Sequence, residues 1–257
     1  MTTPDGKGHH ADVQMPFTSH LGELRSRLIK SVLAIAIAFS ACFYFVDTIF
    51  AILAAPVRRL NIPGLTIIGT GVTEAFFTRM KLGFVAALVV ALPVLLWQGW
   101  QFVAPGLYEH EKRHTRSFVF AGSLCFCLGA AFSYAVVVQH GLNFLLHRYE
   151  VIGVTPMLQI ADYLSTVSRL LLVSGAMFEL PVIAFFTARV GLIDHRFLIR
   201  HSRYALIAIA LLAAILTPPD LISQILLMVP LLLLYGLSIA VAYLARFRMD
   251  RRERAAQ

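Results

Sequence analysis

The stretch Leu82–Tyr108, LGFVAALVVALPVLLWQGWQFVAPGLY, runs for 27 residues without one Asp, Glu, Lys or Arg. About 20 apolar residues in a helix cross the roughly 30 Å of bilayer hydrocarbon, so this run is long enough to span a membrane. Five more stretches read the same way. Ser31–Val57 carries only Asp47, Ser117–Leu146 carries no charge, and Leu170–Ala188 carries only Glu179. Tyr204–Pro219 and Leu221–Ala245 are also free of charge. Six transmembrane helices are therefore expected, near residues 31–53, 76–104, 117–139, 166–189, 202–217 and 222–244. They form one membrane domain over 1–257, with tails at 1–30 and 246–257. The fifth is short. Its 16 uncharged residues reach about 24 Å, so either His201 and its neighbours extend it or the bilayer thins around it.

Composition agrees. Hydrophobic residues make up 58% of the 257 before glycine is counted, and charged residues 14%. Soluble domains average about 45–50% apolar with glycine included and about 25% charged. Mean hydropathy is +0.76. A disordered chain, a basic nucleic-acid-binding tail and an ordinary soluble enzyme are excluded. The expected class is an all-α polytopic membrane protein.

The net charge of +8 is explained by where the basic residues fall. Four groups share one side of the membrane if the N-terminus is cytoplasmic: Lys7 to Lys30, Lys112 to Arg116, Arg189 to Arg203, and Arg246 to Arg254. Together they hold 16 of the 22 Lys and Arg, whereas Arg58, Arg59 and Arg148 lie opposite, and Arg79, Lys81 and Arg169 sit at or near span ends. The positive-inside rule then gives an N-in/C-in topology, and no nucleic-acid partner is called for. Cys42, Cys125 and Cys127 lie within apolar runs; they read as packing residues, and no metal or cofactor is expected. The N-terminal residues are polar and have no early apolar core, so the first span is expected to be an uncleaved anchor. Pro93, Pro181 and Pro230 fall inside spans. Such prolines tend to kink a helix, and helices kinked this way can surround a concave face within the membrane. No repeat relates the two halves of the chain.

Four segments carry polar chemistry. The first, Phe17–Leu28, places Leu21, Leu24 and Leu28 on one helical face and pairs Glu23 with Arg27 at i, i+4; Thr18 or Ser19 stands where a cap could form. Read alone it is an interfacial helix. The second, Trp97–Arg113, puts both tryptophans, Phe102 and Tyr108 beside Glu109 and Glu111. It reads as an interfacial aromatic belt or as a docking wall for a cationic peptide. In the third, Phe178-Glu179-Leu180-Pro181, a carboxyl sits in mid-span. A charge at the bilayer centre costs about 2.5–3.5 kcal/mol on insertion scales, so such a group usually faces protein or water and serves a function. The fourth, Thr217–Gln224, is a tight turn in which Asp220 can cap the last helix and Gln224 can hydrogen-bond across helices.

Together these segments resemble the TatC family, the polytopic core of the twin-arginine protein translocase. The resemblance rests on His20–Arg27, Phe102–Arg113, Phe178–Pro181 and Thr217–Gln224, with Pro56 standing where the family carries a proline. It covers roughly residues 16 to 245. Two positions depart from the pattern: Gly236 stands where many members carry glutamate, and Val72 where proline is common. The resemblance implies a receptor in the cytoplasmic (inner) membrane, not an enzyme, that binds signal peptides bearing paired arginines through Glu23, Arg25, Phe102 and Glu111. It also implies that Glu179 lines a concave membrane face, with Pro56, Asp220 and Gln224 completing membrane-embedded or partner contacts. TatA-like and TatB-like single-span proteins, membrane lipid, a multi-copy complex and the proton motive force complete the implied setting. The physical logic of the site stands apart from the family name, because the forked guanidinium of arginine pairs bidentately with carboxylate and lysine has no such fork. The competing reading is a proton-coupled secondary transporter of a small solute, with Glu179 as its proton site. The acidic motifs near the membrane surface and the missing repeat favour the receptor.

Overall fold

The computed structural model describes residues 17–60, 62, 65–103, 115–151, 153–189, 195–217 and 220–256. Helix α1, Phe17–Tyr44, breaks at Phe45, and the chain re-enters a helix as α2, Val46–Arg59. The first span was expected to continue to residue 53. Instead α2 is amphipathic: Val46, Leu53 and Val57, at i, i+7 and i+11, are buried, while Asp47 accepts a hydrogen bond from Arg79 at 2.8 Å on the exposed side. Because helix α1 already includes Phe17, Thr18 and Ser19 lie in its first turn rather than ahead of it.

Pro56 lies inside α2 and has no N–H to give the carbonyl of Ile52. Tyr134 supplies the missing donor, its hydroxyl reaching Ile52 O at 2.6 Å. Next to it, the Tyr163 hydroxyl donates to Leu53 O at 2.7 Å. The proline therefore leaves open a carbonyl that a tyrosine from another helix uses to hold α2 in place.

Two three-residue strands, β1 (Thr66–Ile68) and β2 (Met157–Gln159), pair in parallel with Ile67 opposite Leu158, a detail absent from the all-α expectation. Both residues pack on the core. Helix α3, Glu74–Val103, begins at a carboxylate that binds this end together. Glu74 Oε2 accepts the N–H groups of Thr70 and Gly71 at 2.6 and 3.0 Å. Its Oε1 accepts the N–H of Ala161 at 3.1 Å, in the first turn of helix α6, Ile160–Phe178. A first-turn amide that has no partner within its own helix is thereby satisfied.

Between these, α4 (Thr115–Phe132), a π-helical segment (Ser133–Val138) and α5 (Gln139–Val151) form one continuous rod. Helix α6 gives way at Glu179 to α7, Leu180–Arg189. Pro181 explains the break. It cannot donate to Met177 O, and it is tolerated in the first turn of α7, where no intrahelical donor is required. The short α8 (His195–Arg200), α9 (Ser202–Leu216) and α10 (Leu221–Ala256) complete the chain.

Five segments are long and apolar enough to cross a membrane: Leu21–Tyr44, Glu74–Phe102, Thr115–Tyr149, Ile160–Arg189 and Leu221–Ala245. The fifth expected span is α9, whose 15 residues reach about 22 Å, a length in keeping with the short uncharged run in the sequence. The main core joins Val46, Leu53 and Val57 of α2 to Leu164 and Val167 of α6, Ile209 and Ala213 of α9, and Leu227 and Leu231 of α10. Small residues bring other helices close, as membrane packing favours. Ala38 and Cys42 of α1 meet Ala87 and Ala91 of α3, and Ala188 of α7 meets Ala242 and Ala245 of α10.

Candidate functional site

At the end of the bundle where α1 starts and α3 finishes, Glu23 and Arg27 form the expected pair, Arg27 Nε donating to Glu23 Oε1 at 2.9 Å. Arg27 also reaches across to α3, its Nη1 donating to Gln101 Oε1 at 2.6 Å. The N-terminal motif is thus fastened beside Phe102, the next residue on α3. Arg25 is exposed on another face of α1, about 200° around from Glu23, and joins none of these bonds. Glu111 lies outside the described residues.

Beneath this surface the aromatic residues are divided. Trp100 is only 7% exposed. It stacks on Phe118 of α4 at 4.5 Å between ring centroids and meets Phe186 of α7 at 5.6 Å. It belongs to the packed interior rather than to an interfacial belt, because α4 and α7 both close over it. The cluster fixes the end of α3 that carries Gln101 and Phe102.

One turn deeper lies Glu179, 5% exposed. A Cβ placed on Gly122 of α4 would lie 2.8 Å from Glu179 Oε2 and 2.8 Å from Leu96 Cδ1 of α3. The carboxyl therefore occupies a slot that exists because residue 122 has no side chain. Among the described residues neither of its oxygens has a hydrogen-bond partner. A cavity of about 460 Å³ lies at the opposite end, between the π segment, α5, β2, α6 and the α9–α10 turn. Glu179 is not among its walls.

Asp220 caps α10, its Oδ1 accepting the N–H of Ser223 at 2.7 Å. Gln224 Nε2 donates across to Ala210 O of α9 at 3.4 Å. Asp220→Ala should lower stability by about 1 kcal/mol, the usual cost of a lost N-cap; chemical denaturation in detergent measures it, and an unchanged midpoint would show that the cap contributes nothing.

A family model described as TatC, Sec-independent protein translocase protein, matches residues 19–230. The chain belongs to the TatC family. The TatC protein of Campylobacter jejuni is 44% identical over 230 residues, covering 86% of this chain and 91% of its own length. That of Desulforapulum autotrophicum is 38% identical over 241 residues, covering 94% and 89%. A crystal structure of the twin arginine translocase receptor TatC superposes with a TM-score of 0.80 at 36% identity, over 88% of this chain and 99% of that one. The same receptor solved in DDM gives 0.80 at 35%, over 87% and 99%. The chain is thus a polytopic membrane component of the twin-arginine translocase, a protein-transport subunit that works within a complex.

Within this TatC chain, sequence reasoning missed Gln101 as the link between the first two motifs, Gly122 as the slot for Glu179, and Glu74 as the joint of the sheet end. Glu74 carried a usable signal, an acid in the first turn of a helix. Gly122 carried none, since its role appears only when Glu179 is brought against it. Gly236 stands exposed on α10, with nothing within 4 Å of an added Cβ, so a longer side chain there would point away from the packed interior.

Proposed function

We propose that this TatC protein binds twin-arginine signal peptides at the face bearing Glu23, Arg25, Phe102 and Glu111, that this face is cytoplasmic, and that the membrane is the inner membrane. The observation that carries the reading is the Glu23–Arg27–Gln101 chain of hydrogen bonds. Glu23 Oε1 already holds one guanidinium in a charge-assisted bond, and it does so next to Phe102. A second arginine, arriving on a peptide, finds the same carboxylate chemistry together with the carboxylate of Glu111. The basic tails and loops on this side support the orientation through the positive-inside rule. TatA-like and TatB-like single-span proteins then assemble around the loaded receptor, in several copies, and the proton motive force drives transport of the folded cargo. Glu179, in the packed interior, and Pro56, Asp220 and Gln224, which hold the far end in shape, serve this later stage rather than the first capture.

The test is site-specific crosslinking in membranes. Photo-crosslinkers at Glu23, Phe102 or Glu111 are expected to capture a signal peptide with paired arginines and to capture its twin-lysine version at least several-fold less. Equal capture of the two peptides would overturn the assignment.

A further inference from the structure

At the sheet end of the bundle, two cations from different helices converge on one serine. Lys81 of α3 donates from Nζ to Ser165 Oγ at 2.7 Å, and Arg169 of α6 donates from Nε to Ser165 O at 3.2 Å. Both cations are exposed. The ion pairs among the described residues are Glu23–Arg27 and Asp47–Arg79, so neither Lys81 nor Arg169 is neutralised by a carboxylate there. Asp162, the nearest acid preceding Arg169 on α6, pairs with neither.

Their depth identifies the surroundings. Lys81 and Arg169 are each the last charged residue before an uncharged run: Leu82–Val103 on α3, 22 residues, and Leu170–Phe178 on α6. Twenty-two helical residues measure about 33 Å, close to the thickness of the hydrocarbon. The two helix starts are level, tied by Glu74 and Ala161, and the cations lie seven and eight residues beyond those two residues, about 10–12 Å along. They therefore stand at the boundary where lipid phosphates lie, on a surface open to lipid.

We propose that Lys81, Arg169 and Ser165 form a binding site for the phosphate of an anionic phospholipid, such as phosphatidylglycerol, in the leaflet at the sheet end. The donors match the ligand. Arg169 uses Nε on Ser165 and keeps both terminal nitrogens for a phosphate in the forked geometry that arginine favours. Lys81 keeps two of its three protons. The Ser165 hydroxyl accepts from Lys81 and has its own proton to donate. Two cations facing one phosphodiester favour a headgroup without an amine of its own, since a headgroup ammonium would be repelled. Basic pockets between membrane helices recognise headgroups in this way. The pair is also notable for its place, at the end of the molecule that the orientation rule leaves poor in Lys and Arg.

Native mass spectrometry of the full-length protein released from nanodiscs tests this, using phosphatidylcholine discs doped with phosphatidylglycerol or, separately, with phosphatidylethanolamine. The wild type should retain one phosphatidylglycerol in preference to the other two lipids. Lys81→Gln and Arg169→Gln should each reduce that retention about five-fold, the effect of one cation near a lipid surface, and Arg58→Gln should not change it. The charge-keeping Lys81→Arg/Arg169→Lys protein should retain the lipid, which keeps the test informative if the neutral variants fold poorly. Equal retention by wild type and neutral variants, indifference to headgroup, or loss of lipid from the charge-keeping protein would each overturn the site. Loss of a co-purifying single-span protein from the neutral variants, with lipid retention unchanged, would also overturn it and assign the pair to a carboxylate on that partner.

Discussion

Glu179→Leu is expected to give a protein at least as stable as the wild type and at least ten-fold poorer in export. Both halves follow from the slot. The carboxyl is 5% exposed, with no hydrogen-bond partner among the described residues. Burying a polar group unsatisfied costs about 1–3 kcal/mol, and replacing it by an apolar group of similar shape removes that cost. Leucine fills much of the same volume between Leu96 and Gly122. A polar group that is expensive in the resting fold marks a place where stability is given up for activity. The carboxyl is then expected to act when helices rearrange and it gains a partner, from a single-span subunit or an inserted signal. Thermal unfolding and an export assay on the same variant, with peptide crosslinking at Phe102 as a control for first capture, separate the effects. Normal export with raised stability would make the carboxyl dispensable. Lost export together with lost peptide capture would place Glu179 in the first step instead.

Gly129→Ala should produce the largest loss of stability of any glycine-to-alanine change among the described residues. Its Cβ would lie 2.7 Å from the backbone oxygen of Ser174 and 2.7 Å from Phe178 Cγ. Overpacking a tight site costs about 1–3 kcal/mol, and a backbone carbonyl inside a helix cannot swing aside, so the upper end of that range is expected. Gly122→Ala is the instructive comparison. There the Cβ meets the far ends of Leu96 and Glu179, which can turn away. Its stability cost should be small, while the carboxyl is pushed from its slot and export falls. Melting temperatures in one detergent compare the two directly. A Gly129→Ala protein that melts with the wild type would show that α4 and α6 have room to separate.

Much of the architecture was readable from charge and hydropathy alone, because a bilayer requires long uncharged helices and little else satisfies that requirement. The Asp220 cap, the Glu23–Arg27 pair and the cross-helix bond of Gln224 were readable too, since each depends on spacing of a few residues along one turn or on a lone polar group in an apolar run. What was not readable depends on helices meeting. The break at Phe45 has no glycine or proline to mark it. It becomes clear only once the apolar face of α2 is seen lying on the core and Tyr134 is seen donating to Ile52. Trp100 looked like an interfacial residue because sequence cannot show that α4 and α7 close over it. Lys81 and Arg169 stand 88 positions apart, and nothing local suggested that they share a serine.

The π-helical segment Ser133–Val138 has a consequence for the gene. A π turn closes its hydrogen bonds to the fifth residue rather than the fourth, so it holds one residue more than an α turn needs. Deleting a single codon here, that of Ala135 for instance, would let the rod close up as a plain α-helix with no broken reading frame and hardly any change in composition. The wider turn takes up the extra residue, so Gln139 to Val151 would keep nearly the facing they have now. Gly141, where an added Cβ would lie 3.8 Å from Ser223 Oγ, would still meet the α9–α10 corner, and the cavity would keep its wall. Deleting one codon from the plain α-helix before it would instead turn everything beyond by about 100°, so these six residues are the place where this rod can lose a residue and keep its aim.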